Sequence, residues 1–358
     1  MKKVFRSLGI ILTGAIVFSC LGLFGTSSRG DMLFGNENVS NYDRRIVIWD
    51  NPAGNSDRSK FDDMDINFGP DRYDMVPQFG ANISTSEYRD IERIADTYSY
   101  IVEIERGFVS TAFNDQPYLI PYIVEGSDTA VIILPGGGFA LNSMDGADVE
   151  ALDIAQTLNN NGISAFVLHY RTNPYRYPIP YLDAQRAVRY IRYHAADFHL
   201  DPDKIGMIGF SAGANIIGTF INIVRGQNFF PADYVPDEVD RTDDRVMSAA
   251  MIYPLMSFRS NVPMLFCLFD ANEVRSDARR EELLMNTDLF RNINSQIIPQ
   301  FIAYGSADSI VGTSETIRYI NSAVNRGCSV TTVVAEGQNH GFDQSYYMDQ
   351  YIAWLKSL

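Results

Sequence analysis

Histidine, cysteine and positive charge are all scarce in this chain. Its 358 residues hold four histidines and three cysteines. No CxxC pair or His/Cys cluster offers the ligand spacing of a zinc site, so no metal is expected. Lys and Arg number 29 against 44 Asp and Glu, a net charge of −15. Such a surface repels phosphate, which argues against nucleic acid and polyanionic substrates and leaves a neutral small molecule or oligosaccharide easier to accept. No GK[ST] follows the glycine-rich stretch, so a phosphate loop is not indicated and no cofactor is expected. Internal repeats are missing too. What is present, 46% hydrophobic and 20% charged residues, suits a folded chain with a sizeable core.

The N-terminus reads as a targeting segment. Lys2, Lys3 and Arg6 precede an apolar run over residues 8–18, about the length of a secretory core. Val17-Phe18-Ser19-Cys20 resembles a bacterial lipobox with Cys20 at the lipidation position. Apolar character continues to Phe24, so residues 8–25 are also just long enough to span a bilayer, for which roughly 18 apolar residues is the lower limit. A lipoprotein anchored at Cys20 ranks first, cleaved export second and an uncleaved anchor third. Each places the body outside the cytoplasm, periplasmic or at the cell surface, with membrane contact only through this segment. Residues 1–26 are thus read as signal or anchor, 27–110 as linker and N-terminal extension, and 111–358 as the main domain. Cys267 and Cys328 could pair in an oxidising compartment, but both sit in apolar or strand-like contexts and are expected as buried free thiols.

From residue 117 onward short apolar runs alternate with helical spacing. Residues 117–124, 129–134 (TAVIIL), 163–170 (ISAFVLHY), 204–209, 249–253, 300–304 and 329–335 read as strands. Residues 148–159, 181–198, 212–224, 313–325 and 348–358 read as helices. Such alternation predicts an α/β fold with a mostly parallel sheet covered on both faces. The mixed segment 257–292 is a candidate cap over the sheet's C-terminal edge.

One stretch carries chemistry. In KIGMIGFSAGAN, Ser211 stands between Gly209 and Gly213, after a strand and before a helix. A serine hydroxyl becomes nucleophilic only beside an imidazole that a third group orients. The GxSxG spacing fits a sharp strand-to-helix elbow that lifts the serine. Upstream, PGGGF (135–139) can aim backbone N–H groups at a developing oxyanion, with Ala212 supplying the other donor. Of the histidines, His169 reads as a core residue, and His194 and His199 as surface or capping residues. His340, in the loop GQNHGF after a strand and downstream of Ser211, is the candidate base. Asp308, in YGSADSIV after another strand, is the candidate acid; Asp270 is a reserve. Helix capping is the alternative for Asp308.

These motifs resemble the α/β-hydrolase esterases of the acetyl-esterase and acetylxylan-esterase kind, near the hormone-sensitive-lipase group. VIILPGGGF is similar to that family's oxyanion strand and loop, DPDKIGMIGFSAG to its nucleophile elbow, and PQFIAYGSADSIV and GQNHGF to its acid and base segments. RIVIWDNPAG (45–54) is similar to the strand and turn that precede its core. The resemblance implies an α/β-hydrolase fold with a small cap, Ser211 as nucleophile, Asp308 as acid, His340 as base, and Gly137, Gly138 and Ala212 as oxyanion donors. Ala214-Asn215 depart from the Gly-His or Gly-Gly common after SAG, and Asn339 stands where a small residue often precedes the histidine.

The expected function is hydrolysis of short-chain, acetyl-type esters, on carbohydrate in the favoured case. Alternatives are a peptidase of the same fold and a non-catalytic surface binding protein on a hydrolase scaffold. The anchor is directly measurable: the mature N-terminus should begin at a diacylated Cys20 by mass spectrometry. An unmodified N-terminus at any other residue would reject the lipoprotein.

Overall fold

A computed structural model describes residues 45–56, 116–139, 142, 149–172, 175–294 and 298–358. The targeting segment with Cys20 and most of the 27–110 extension lie outside the described residues. Eight described strands form one sheet in the order β1-β2-β4-β3-β5-β6-β7-β8. They are β1 (Ile46–Val47), β2 (Tyr118–Tyr122), β3 (Ala130–Leu134), β4 (Ser164–His169), β5 (Ile205–Phe210), β6 (Ser248–Ile252), β7 (Gln300–Gly305) and β8 (Val330–Ala335). The first two pair antiparallel at one edge, β2 also running antiparallel to β4. All pairs from β4 through β3 to β8 are parallel. The strands of the mixed sheet therefore follow the α/β expectation.

Strand residues alternate between two cores. In β3, Ala130, Ile132 and Leu134 face one cluster, while Val131 and Ile133 face the other. Helices α1 (Val149–Asn160), α2 (Ile179–Tyr193) and α3 (Ala212–Thr219) follow in chain order. Short helices α4 (Leu265–Leu268), α5 (Ala271–Arg275) and α6 (Asp277–Thr287) lie between β6 and β7. Helices α7 (Thr313–Asn325) and α8 (Met348–Leu355) follow β7 and β8. Buried residues of α2, α3 and α7 pack in the first cluster and those of α1 and α8 in the second. Both faces of the central strands are thus dry, which is why they read as continuous apolar runs rather than as alternation. Cys267 and Cys328 are buried free thiols. Among the described residues no helix is long and apolar enough to cross a membrane.

Boundaries shift where local chemistry intervenes. The helix expected over 181–198 ends at Tyr193, with His194 as C-cap and its N–H bonded back to Tyr190 and Arg192 carbonyls. The helix expected over 212–224 is α-helical to Thr219 and continues as a π-turn over Phe220–Val224. There Asn222 donates to the Gly218 carbonyl and to the Tyr319 hydroxyl.

The segment before the main domain is fixed by buried charge. Arg171, just past β4, and Asp183 on α2 are both fully buried and paired at 2.6 Å. The Arg171 guanidinium also donates to the Ala53 carbonyl and to Asn55, and Trp49 donates to Asp183 at 3.2 Å. Arg186 joins the Ile48 carbonyl to Asp237 and Asp240. Residues 45–56 are therefore held by hydrogen bonds to buried charged side chains and by packing of Ile48, Trp49 and Ala53 in the core, beyond their two-residue strand. Removing one partner leaves a buried charge uncompensated, so Asp183→Ala should cost about 3–5 kcal/mol in denaturant melts. A loss below about 1 kcal/mol would show that this pair does not hold the segment.

Candidate active site

The parallel register brings the C-terminal ends of four adjacent strands together. Phe210 of β5 lies opposite Ile252 of β6, Ile252 opposite Ala303 of β7, and Gly305 opposite Ala335 of β8. Ser211 leaves β5 directly and starts α3 with φ 52° and ψ −112°, a left-handed conformation that side chains rarely adopt. Its N–H still reaches the Ile252 carbonyl at 3.0 Å. The flanking glycines are required by contact. A Cβ on Gly213 would run into the carbonyl oxygens of Leu134 and Pro135, and one on Gly209 would sit 2.6 Å from the Gly213 carbonyl.

Three side chains meet there. His340 Nε2 lies 2.8 Å from Ser211 Oγ, and its Nδ1 lies 2.8 Å from Asp308 Oδ2. An ionised carboxylate only accepts, so Nδ1 carries the proton and Nε2 presents its lone pair to the serine O–H. Asp308 Oδ1 accepts from the N–H groups of Ile310 and Val311 at 2.9 and 3.1 Å. Burial works to raise this carboxyl's pKa. The His340 hydrogen bond and charge and the two backbone donors outweigh it, and the result lies below the ordinary value of 3.8.

The glycine loop after β3 abuts the elbow. A Cβ on Gly136 would lie 3.3 Å from Ser211 Cβ, and Gly137 and Gly138 follow with φ of 124° and 64°. Tyr170, fully buried after β4, donates its hydroxyl to the Pro135 carbonyl at 2.8 Å and so fixes the loop's first residue. Ala212 opens α3 beside it. Phe139, left-handed at φ 64°, packs against Tyr181 and Phe258 at 6.4 and 5.9 Å between ring centroids. Phe258 belongs to the 257–292 segment, whose Asn261 also donates to the Ile310 carbonyl. That segment thus touches the loops after both β3 and β7.

The other histidines stand apart from this group. His169 is buried at the end of β4, stacked on Tyr118 with centroids 4.6 Å apart. His194 caps α2 and pairs with Asp197 at 2.9 Å, and His199 sits exposed in the following turn. Asp270 caps α5 and meets Arg176. The helix-capping alternative for Asp308 does not hold, because Gly312 is the N-cap of α7 and no side chain caps it. Asn215, a departure from the resembled pattern, bonds the Leu255 carbonyl at 2.7 Å and accepts from the Tyr181 hydroxyl at 3.1 Å. It ties the first turn of α3 to α2 and to the chain after β6.

Tyr253 was legible only as the end of a strand. It leaves β6 with φ 36° and sets its ring edge-to-face against His340, centroids 4.9 Å apart. Only the register places it, since it occupies in β6 the position that Ser211 occupies in β5.

Residues 119–241 match the BD-FAE family model. Solved structures share the architecture. An acetyl ester-xyloside bifunctional hydrolase from Caldicellulosiruptor lactoaceticus is 26% identical, covers 68% of this chain and 88% of its own, and superposes with a TM-score of 0.57. The chain has the α/β-hydrolase fold. Among curated relatives, an acetylxylan esterase of Xylanibacter ruminicola is 24% identical over 65% of the chain and 46% of its own length. Endo-1,4-beta-xylanase B of Butyrivibrio fibrisolvens is 26% identical over 70% and 39% respectively. The chain therefore spans less than half the length of these two relatives.

The lowered Asp308 carboxyl carries a linkage consequence. A carboxyl held below its unfolded pKa stabilises the fold above that value, and the contribution is lost as pH falls through the folded one. Urea melts at decreasing pH should therefore show wild type losing stability faster than Asp308→Asn below about pH 4. Parallel curves for the two proteins would contradict the assignment.

Proposed function

We propose that the chain is a serine carboxylesterase acting on short-chain, acetyl-type esters through an acyl-enzyme. The observation that carries this reading is the unbroken line Ser211–His340–Asp308, two hydrogen bonds of 2.8 Å on opposite nitrogens of one imidazole. Ser211 Oγ attacks the ester carbonyl carbon while Nε2 of His340 takes its proton. Asp308 keeps the ring in the required tautomer and balances the imidazolium. N–H groups of Gly137, Gly138 and Ala212 are the proposed donors to the oxyanion. Collapse breaks the bond to the alcohol oxygen, which leaves with the proton from Nε2. Water then attacks the acyl carbon and gives a proton to Nε2. The carboxylic acid departs as that proton returns to Ser211 Oγ.

A short acyl group is supported by the buried ring of Phe139, which follows the glycine loop directly and is backed by Tyr181 and Phe258. An acetylated carbohydrate is supported by the acidic charge and by the names of the relatives. Segment 257–292 is the proposed cap. Export and anchoring at Cys20 are supported by the N-terminal sequence.

A fluorophosphonate probe should label Ser211 in the folded protein, and Ser211→Ala should lose both labelling and, by about 10⁴-fold or more, turnover of nitrophenyl acetate. Wild type should prefer the acetate to the decanoate. Absence of an adduct rejects the serine esterase, and equal or reversed rates reject the short-acyl preference.

A further inference from the structure

Asn339 departs from the resembled pattern, and its side chain has a defined place. Its Oδ1 accepts from the Ser309 N–H at 2.9 Å, the Ser309 hydroxyl at 3.1 Å and the His340 N–H at 2.8 Å. Two of these are backbone donors, which need an acceptor, so the carbonyl oxygen and not the amide nitrogen faces them. Ser309 follows the acid and His340 is the base. One oxygen therefore joins the residue after Asp308 to the backbone of His340.

This contact is the last of a series. Beyond the Gly305–Ala335 pairing that ends β7 and β8, the Ser306 N–H meets the Ala335 carbonyl at 3.1 Å and the Ala307 N–H meets the Gln338 carbonyl at 3.0 Å. The Gly337 N–H meets the Ser306 hydroxyl at 2.8 Å. Asn339 carries the link between the two loops one step further, with a side chain where the backbone pairing has ended.

We propose that Asn339 is a positioning residue for the esterase reaction: its Oδ1 holds the acid loop and the base loop together, so that the imidazole keeps both Asp308 and Ser211. The inference rests on reading those three residues as the catalytic group. A slip of about 1 Å between the loops breaks one of the two imidazole bonds, and misplacement on that scale costs on the order of a hundredfold in rate.

The test measures kcat and KM for nitrophenyl acetate across pH in wild type, Asn339→Leu and Asn339→Asp. Leucine has a similar size and no acceptor; aspartate keeps the acceptor and adds charge. Asn339→Leu should lower kcat by about 10- to 100-fold with KM little changed. Asn339→Asp should recover most of kcat at alkaline pH and move the acid limb of kcat/KM upward, because a carboxylate beside His340 favours the imidazolium. A near-wild-type kcat in Asn339→Leu overturns the proposal, as does an aspartate variant no faster than the leucine variant at every pH. If the leucine variant does not fold, an unmoved acid limb in Asn339→Asp overturns it. Fluorophosphonate labelling of wild type separates the two failures. An unlabelled wild type defeats the esterase reading itself, whereas a labelled wild type with an unaffected leucine variant defeats only the positioning role.

Discussion

The site depends on how closely the first turn of α3 can approach the end of β3. That turn runs with Gly213 against the carbonyls of Leu134 and Pro135, leaving no room for a side chain. At this distance the glycine loop lies against the serine, and Tyr170 holds the loop's first residue through the Pro135 carbonyl. The left-handed backbone of Ser211 is the local cost of the geometry. It is sustained because β5 is hydrogen-bonded on both sides and α3 is anchored through Asn215 to the Leu255 carbonyl and Tyr181.

Much of this was legible in the sequence because it rests on short-range rules. A buried parallel strand reads as an apolar run, and a strand followed by GxSxG and a helix reads as an elbow. The strands after residue 117 lie within a residue or two of expectation, and Ser211, Asp308 and His340, each expected from the local pattern of strand, turn and helix, come together in space. What stayed hidden depends on contacts across the sheet. Tyr253 meets His340 because β5, β6 and β7 are in one register, and no spacing along the chain encodes that. Asn215 and Asn339 stood out only as departures from a pattern; their hydrogen bonds run to residues 40 and 30 positions away. Asp183 carries no signal along the chain, because its partners Arg171 and Trp49 lie on separate elements. The π-turn after Thr219 was likewise invisible, since helical periodicity does not distinguish an i→i+4 from an i→i+5 turn over five residues.

Polar groups do two jobs in this molecule. On and beside α2 a set of arginines and aspartates fastens residues 45–56 and the loop around Asp237 to the body. Between the loops after β7 and β8, an amide and a hydroxyl, Asn339 and Ser306, make the side-chain links. Neutral acceptors such as Asn339 can order the chain beside His340 without adding a charge that would bias its protonation.

The excursion between β6 and β7 is closed at its neck. Ser257 donates to Asp288, the Leu289 N–H meets the Met256 carbonyl at 3.2 Å, and Arg259 joins Asp288 to Glu281. The entropic cost of closing a loop grows only logarithmically with its length. With the neck latched, residues inside it can be lengthened, shortened or exchanged while β6 and β7 keep their register. The 257–292 segment is in that sense a replaceable cassette: an evolving lineage can refit it without disturbing the sheet from which it departs.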